Sequence, residues 1–352
     1  MLRASVAAFP YSTRIVVFDD STSQGYAEWL KDRGLSARVS VTGLLPQLEK
    51  NEAGLAIVAN SAPLHFQTTR QVLRAGYHAV VEKPLTFSKE DSLSLVERAR
   101  YFRRHLFSTN IPLFAGHLDG LRDHCSAQSR ITLVQIEWMD PALEFRHGTR
   151  KNYDSATPLI FDVLPHIITI LWALFGEKPL GADSEISVKE GGARNRILFE
   201  YGDVPVVVNL ARSAERRVRH VRVSSENGDS SIDFGAEPSG STHLTPDLAA
   251  GKLPSVQMLE AVASSCLTSR QDPRLTVRTN ILANELLEKL IHSYVEQQTI
   301  FLGKSSKMQE MAEDKAQCYA RREAQAVSAR LVQTLEQDST VRRLFERYQE
   351  FQ

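Results

Sequence analysis

The chain has 352 residues, and its 42 Lys and Arg balance 42 Asp and Glu to a formal net charge of zero. That balance leaves no basic surplus to draw it onto nucleic acid or an anionic membrane, and the length points to two domains with an appendage. Hydrophobic residues at 42% and charged residues at 24% exclude wholesale disorder, and three scattered cysteines, Cys125, Cys266 and Cys318, exclude a disulfide scaffold or zinc knuckle.

The opening stretch MLRASVAAFPYSTR lacks the apolar core of a signal peptide, and no apolar run approaches the ~20 residues of a membrane helix. A soluble, cytoplasmic protein is expected. Arg14–Phe18, Ala56–Ala59 and His78–Val81 then read as short buried strands. Helical patterns over Tyr26–Arg33, Phe66–Ala75 (closed by Gly76) and Lys89–His105 separate them. Strands and helices in this alternation indicate βαβ units around a parallel sheet.

Beyond a boundary near Gly116–Gly120 the texture changes. Ile131–Trp138, Glu185–Val188, Arg196–Tyr201, Val204–Ala211, His220–Ser224 and Ser230–Phe234 read as strands at meander spacing, with Asn227-Gly228 as a hairpin turn. Helices over Leu164–Phe175, Val256–Ser269 and Thr279–Glu296 interrupt them. The fold class expected is α/β: a Rossmann-like domain over residues 1–118, then an α+β domain over 119–303 with an open, mostly antiparallel sheet. A helical tail over 304–352 carries Val327, Leu331, Leu335, Val341, Leu344, Phe345 and Tyr348 at helical spacing. It reads as surface helices packed on the body or as a partner-binding helix.

Two constellations could carry chemistry. Glu82-Lys83-Pro84 stands at the carboxyl end of a parallel strand, the edge where open α/β sheets bind ligands. A lysine there can reach a substrate oxygen, and Pro84, through a cis bond or otherwise, would hold the turn that aims it; a solvated loop lysine is the plain alternative. In Asp162-Val-Leu-Pro-His166 the Asp and His are four apart and share one helix face. The carboxylate could orient the imidazole for proton transfer, or Asp162 could simply cap the helix, with Pro165 in its first turn.

The segments Ala59-Asn-Ser-Ala-Pro-Leu-His65 and Val72-Leu-Arg-Ala-Gly-Tyr-His-Ala-Val-Val-Glu-Lys-Pro-Leu85 resemble the Gfo/Idh/MocA oxidoreductases, relatives of glucose–fructose oxidoreductase and inositol dehydrogenase. Asp162 and His166 match that family's D-x-G-x-H segment, followed by Trp172 to Gly176. The likeness runs over roughly residues 14–293. It implies NAD(P)-dependent hydride transfer at a hydroxyl, carbonyl or imine carbon of a sugar-like or other small polar substrate. By position Lys83 resembles the catalytic lysine, also in contact with the cofactor, and His166 the proton donor or acceptor, with Asp162 beside it.

The same resemblance places Asn60, Ser61 and His65 along the cofactor and Glu82 at its nicotinamide end. Asp19 or Asp20 would stand on the ribose hydroxyls, which favours NAD over NADP because a carboxylate repels a 2′-phosphate. His117, Tyr153 and Thr169 fall in segments that face the substrate, and Arg146, His147 and Lys151 lie nearby. No metal is implied; His117, His124 and Cys125 have no ligand spacing. Family habit implies a homodimer or homotetramer through the open sheet.

The family opens with a strand and a G-x-G-x-x-G loop, and this sequence contains neither. Leu2-Arg-Ala-Ser-Val-Ala-Ala-Phe9 reads as the end of the helix that follows that loop. Without the first strand, the strand at Ile15–Phe18 should part from that at Ala56–Ala59. Two explanations stand: a true start upstream, or a non-catalytic relative that binds a ligand or protein. Ser155-Ala-Thr-Pro158 also replaces the family's glycine-rich approach to the Asp/His helix, and Thr169 stands where an Asp often follows. G-x-S-x-G, the mark of a serine hydrolase, is absent.

Overall fold

The computed structural model describes residues 1–305 apart from 11–12, 19–27, 29, 33, 50–51, 53, 129, 143–144, 147–148, 151–156, 236–252 and 269. The tail over 304–352 therefore lies almost wholly outside the described residues, and of the helix expected over Tyr26–Arg33 only residues 28 and 30–32 are described, as helical. The chain forms two compact units: Met1–Thr86, Glu90–Phe114 and Ala250–Arg278 make the first, and Phe87–Lys89, Ala115–Ala249 and Thr279–Gln352 the second. Among the described residues no helix is long and apolar enough to cross a membrane.

The first unit opens with helix α1 (Leu2–Ala8) and then carries strands β1 (Ile15–Phe18) and β2 (Val39–Thr42), paired in parallel. A separate parallel sheet has the order β3-β4-β5, from Leu55–Val58, His78–Val81 and Leu106–Ser108. Strands β1 and β3 thus stand in different sheets, as expected. Strand β5 is too short to read from sequence. In β2, Val39 is buried and Ser40 exposed, a half-buried pattern rather than an apolar run.

Both faces of β3-β4-β5 are covered, as a parallel sheet requires. Ala79 and Val81 of β4 pack with Val72 and Leu73 from helix α2 (His65–Arg74) and with Leu95 and Ala99 from α3 (Lys89–Tyr101). Val80, pointing the other way, packs with Ala4 of α1, with Phe107 and with Val256, Met258, Leu259 and Val262. Gly76, at φ +90°, closes the chain behind α2 as expected. Helix α3 stops at Tyr101, short of His105, because Arg103 turns the chain at φ +54° into β5. The guanidinium of Arg38 donates to the carbonyls of Val6 (2.6 Å), Phe9 and Pro10, a cation at the carboxyl end of α1.

The second unit holds α4 (Asp119–Ala127), β6 (Ile131–Pro141), α5 (Leu159–Phe175), β7 (Leu180–Lys189), β8 (Arg194–Tyr201), β9 (Val204–Ala214), β10 (Val218–Ser225) and β11 (Gly228–Asp233). Helix α6 (Pro254–Leu267) follows in sequence but clusters with the first unit, through Val256 to Val262 against Phe107 and Phe114. This corrects the undivided domain expected over 119–303: the chain returns to the first core before α7 (Arg278–Ser305) completes the second.

The sheet order is β11-β10-β6-β9-β8-β7, antiparallel except for the β6–β9 pair. Its inward residues, such as Val134, Ile136, Val206, Val208, Val221 and Val223, pack against α5 and against Leu282, Leu286 and Leu290 of α7. Apolar on almost every side, α5 is buried through its middle and stops at Gly176, whose φ of +71° favours glycine. The β10–β11 hairpin turns on Glu226 and Asn227, with Ser225 paired to Gly228. The turn thus lies one residue before the Asn227-Gly228 step expected, drawn there by Ser225, whose hydroxyl accepts from Asn227 N–H and donates to the Gly228 carbonyl.

Candidate functional site

In the first unit three parallel strands end side by side, and each delivers polar groups to the same edge. Asn60 and Ser61 follow β3, Glu82 and Lys83 follow β4, and Thr109 follows β5. The register is carried past the strands by Glu82 N–H to the Val58 carbonyl (2.8 Å) and Thr109 N–H to the Val81 carbonyl (3.1 Å). Asn60 and Ser61 are exposed, and Glu82 and Lys83 are half-buried. The buried Thr109 hydroxyl donates to Glu82 Oε2 at 2.9 Å and fixes that carboxylate. The Lys83–Pro84 peptide is cis.

His65 does not line this edge. Only 1% exposed, it sets Nδ1 2.7 Å from the Pro84 carbonyl and Nε2 3.0 Å from the Asn60 carbonyl. Burial pushes its pKa down, against the two carbonyls, which favour the protonated ring. This corrects the expectation that His65 touches the cofactor: it clamps the β3 and β4 loops that carry Asn60 and Lys83. Asn60 in turn donates from Nδ2 to Thr68 Oγ1 (2.8 Å).

In the second unit Asp162 and His166 stand one turn apart on α5, both half-buried. The helix begins at Leu159 behind Pro158, so Asp162 lies inside the first turn and does not cap it, and Pro165 falls in the helix interior. His166 stacks on Trp138 (ring centroids 4.9 Å, interplanar 13°). Trp138 meets Phe234 edge-on at 6.4 Å, and Phe234 stacks on His117 at 4.7 Å. An aromatic row therefore joins two residues, His117 and His166, that lie far apart in sequence.

Three charged residues continue the inward apolar stripes of the sheet: Asp140 after Trp138, Arg212 after Leu210, and Arg219 before Val221. All three gather at one edge, where β6 and β9 end and β10 begins. Arg219 lies 3.9 Å over the Trp138 ring, donates to the Met139 and Val218 carbonyls, and pairs with Asp140. Arg212 donates to the Thr157 carbonyl (3.1 Å) and to Asp162 Oδ2 (3.2 Å). Sequence reasoning missed all three. The signal was there, a charge at a parity that alternation reserves for apolar side chains.

Thr169 corrects another expectation. It is 3% exposed, and its hydroxyl donates to the Pro165 carbonyl at 2.7 Å, so it faces the helix interior and not a substrate. Asp19 and Asp20, Tyr153, and the side chains of Arg146, His147 and Lys151 lie outside the described residues. Among the described residues no three His, Cys, Asp or Glu side chains gather as a metal site requires.

The diphosphate of a dinucleotide needs a cradle of backbone amides, and the sequence has no G-x-G-x-x-G to supply one. The donor set at the strand ends fits the other end of such a cofactor. Asn60, Ser61 and Glu82 offer hydrogen-bonding groups, and Lys83 a cation, at the edge where nicotinamide and ribose are bound in doubly wound folds.

Comparison with known proteins bears on the fold. Residues 6–108 match the model of an oxidoreductase family with an NAD-binding Rossmann fold. No curated protein matches the chain. A 3-ketoreductase from Actinomadura kijaniata, solved with NADP and TDP-benzene, superposes with a TM-score of 0.65 at 14% identity, over 83% of this chain and 92% of its own. GenD2 of gentamicin A biosynthesis, solved with NAD, gives 0.62 at 16% identity over 82% and 97%. An aldose–aldose oxidoreductase from Caulobacter crescentus, solved with glycerol, gives 0.61 at 14% over 78% and 86%. At these identities the likeness is one of fold.

Proposed function

We propose, from the membership of residues 6–108 in the Gfo/Idh/MocA oxidoreductases, that the chain is an NAD(P)-dependent oxidoreductase acting on a hydroxyl, carbonyl or imine carbon of a sugar-like or other small polar molecule. The observation that carries this reading is the convergence of Asn60-Ser61, Glu82-Lys83 and Thr109 at one edge of a parallel sheet, inside the matched segment. A bound nicotinamide would supply hydride acceptance or donation. Lys83 Nζ would hold the reacting oxygen and stabilise negative charge on it. His166 would carry the proton, with its ring plane fixed by Trp138. NAD is favoured over NADP by Asp19. A homodimer or homotetramer through the sheet face not packed by α5 and α7 goes with the reading.

Calorimetric titration with NADH and NADPH tests it: micromolar binding of either is expected, tighter for NADH. With binding in hand, a panel of sugars, polyols and keto-sugars should reveal turnover that Lys83→Ala abolishes while cofactor affinity stays. Normal turnover in that variant would remove Lys83 from the chemistry. A second reading, a family member that binds a ligand or protein partner without turnover, draws on the sequence's lack of a glycine-rich loop. Absence of binding to both nucleotides would favour it.

A further inference from the structure

We infer that Arg212 is a positioning residue: from strand β9 it holds Asp162 as a permanently ionised acceptor and sets the first turn of α5, leaving His166 as the proton carrier of the pair. The inference rests on the proposed role of the Asp162–His166 face, and deepens it.

The inward stripe of β9 runs Val206, Val208, Leu210 and then Arg212, each buried against the α5 side of the sheet. An arginine in that row is 1% exposed, and a guanidinium so deep needs a carboxylate or its desolvation goes uncompensated. Asp140, the other inward carboxylate at this edge, is matched to Arg219. The carboxylate facing Arg212 is Asp162, 26% exposed and thus reaching from the buried guanidinium toward solvent. The same Nη2 donates to the Thr157 carbonyl, two residues before the helix. One guanidinium therefore ties the approach to α5 to its first turn.

The backbone of β9 has a local device at this point. Ala211 pairs with Met139 and Ala214 with Pro141, so three steps on β9 oppose two on β6, and Ser213 takes φ +56°. A bulge of this kind re-aims the side chains around it. Among the described residues Asp162 pairs with Arg212 from β9, His166 stands one turn along α5 against Trp138, and the Arg219–Asp140 pair lies on the other side of that ring on β10 and β6. A carboxylate held this way accepts hydrogen bonds across the neutral range and does not deliver a proton. That leaves the proton-carrying role of the pair to His166, whose ring is stacked on Trp138.

The test reads Asp162 directly by carbon-13 NMR of aspartate-labelled protein, assigned with Asp162→Asn, and needs neither cofactor nor substrate. In the wild type Asp162 should titrate below the ordinary aspartate range. Arg212→Met should raise its proton affinity about tenfold or more, and Arg212→Lys should restore most of the difference. A purely structural Arg212 would lower the melting temperature without moving that titration. Wild-type Asp162 titrating at or above the ordinary range overturns the inference, even if Arg212→Met fails to fold. So does an unchanged titration in folded Arg212→Met. Nucleotide binding plays no part, so failure here leaves the oxidoreductase reading standing, and absence of NADH binding leaves this one standing.

Discussion

The sheet of the second unit is one continuous six-stranded ladder, whereas the parallel strands of the first are divided between β1-β2 and β3-β4-β5. The two solve the problem of burying a sheet differently. The second joins β7-β8-β9 and β10-β11 through hairpins and covers one face with α5 and α7, so a single core runs from Leu118 to Tyr294. Among the described residues the first pairs its strands in parallel, without hairpins; its cohesion comes from helices on both faces, in two smaller cores around Leu73 and Phe107. Charge is handled differently too. The second unit buries two arginines at one end of its sheet, one against a buried carboxylate and one against a half-buried one, whereas the first places His78 and Glu82 at opposite ends of β4.

The sharpest way to break that comparison is at Asp140. Asp140→Ala would strand the buried Arg219 guanidinium and should cost about 3–5 kcal/mol. In scanning calorimetry the loss should fall on the transition of the second unit and spare the first. The double change Asp140→Leu with Arg219→Leu should recover most of it, since a paired buried charge contributes little beyond an apolar replacement. Equal displacement of every transition would mean that the two units unfold as one.

The second unit's strands were also the more legible in sequence, and for the same reason. Alternation over eight to eleven residues, as in Val134, Ile136 and Trp138, marks a half-buried strand plainly. The charges ending those rows, Asp140, Arg212 and Arg219, went unread because each looks like an ordinary surface residue until its parity is counted. In the first unit Glu82-Lys83 was legible because a strand end and a helix start bracket it. The role of His65 was not: the motif gives its position, but only packing shows its ring between the Asn60 and Pro84 carbonyls. The assignment of α6 to the first unit was equally hidden, since nothing local in Pro254–Leu267 says which core it will cover.

Acid should sharpen the contrast next. At the end of β4 away from Lys83, His78 Nδ1 accepts the backbone N–H of His105 at 2.9 Å, and the two rings stack at 5.0 Å. Burial, then His105 and Arg104, hold the His78 pKa down to about 4. The folded ring binds a proton less readily than the unfolded one, so stability is full above pH 6.5 and falls as pH drops toward 4. The drop from 6.5 to about 4 would be about 3 kcal/mol unscreened, and roughly 1–2 kcal/mol for a ring this open to solvent. Melting of the first unit between pH 7 and 4.5 should show it, and His78→Gln, which keeps an acceptor, should flatten the slope. A slope unchanged in that variant would move the cause elsewhere.

The smallest effect separates the sheets by their edges. Strand β7 ends the six-stranded ladder, and a side chain closes it: Gln297 of α7 accepts from Val188 N–H and donates to the Ile186 carbonyl, each at 2.8 Å. An amide thus stands where the next strand's backbone would, and keeps an open edge from pairing with another chain. Gln297→Ala should cost about 1 kcal/mol and speed exchange of the Val188 amide without touching that of Ile197 on β8, paired on both sides. Gln297→Glu keeps the acceptor and loses the donor, so it should protect Val188 while the Ile186 carbonyl is left facing a carboxylate. If Val188 exchanges at the wild-type rate in Gln297→Ala, the edge is closed by the strand's own twist, and the glutamine only rests on it.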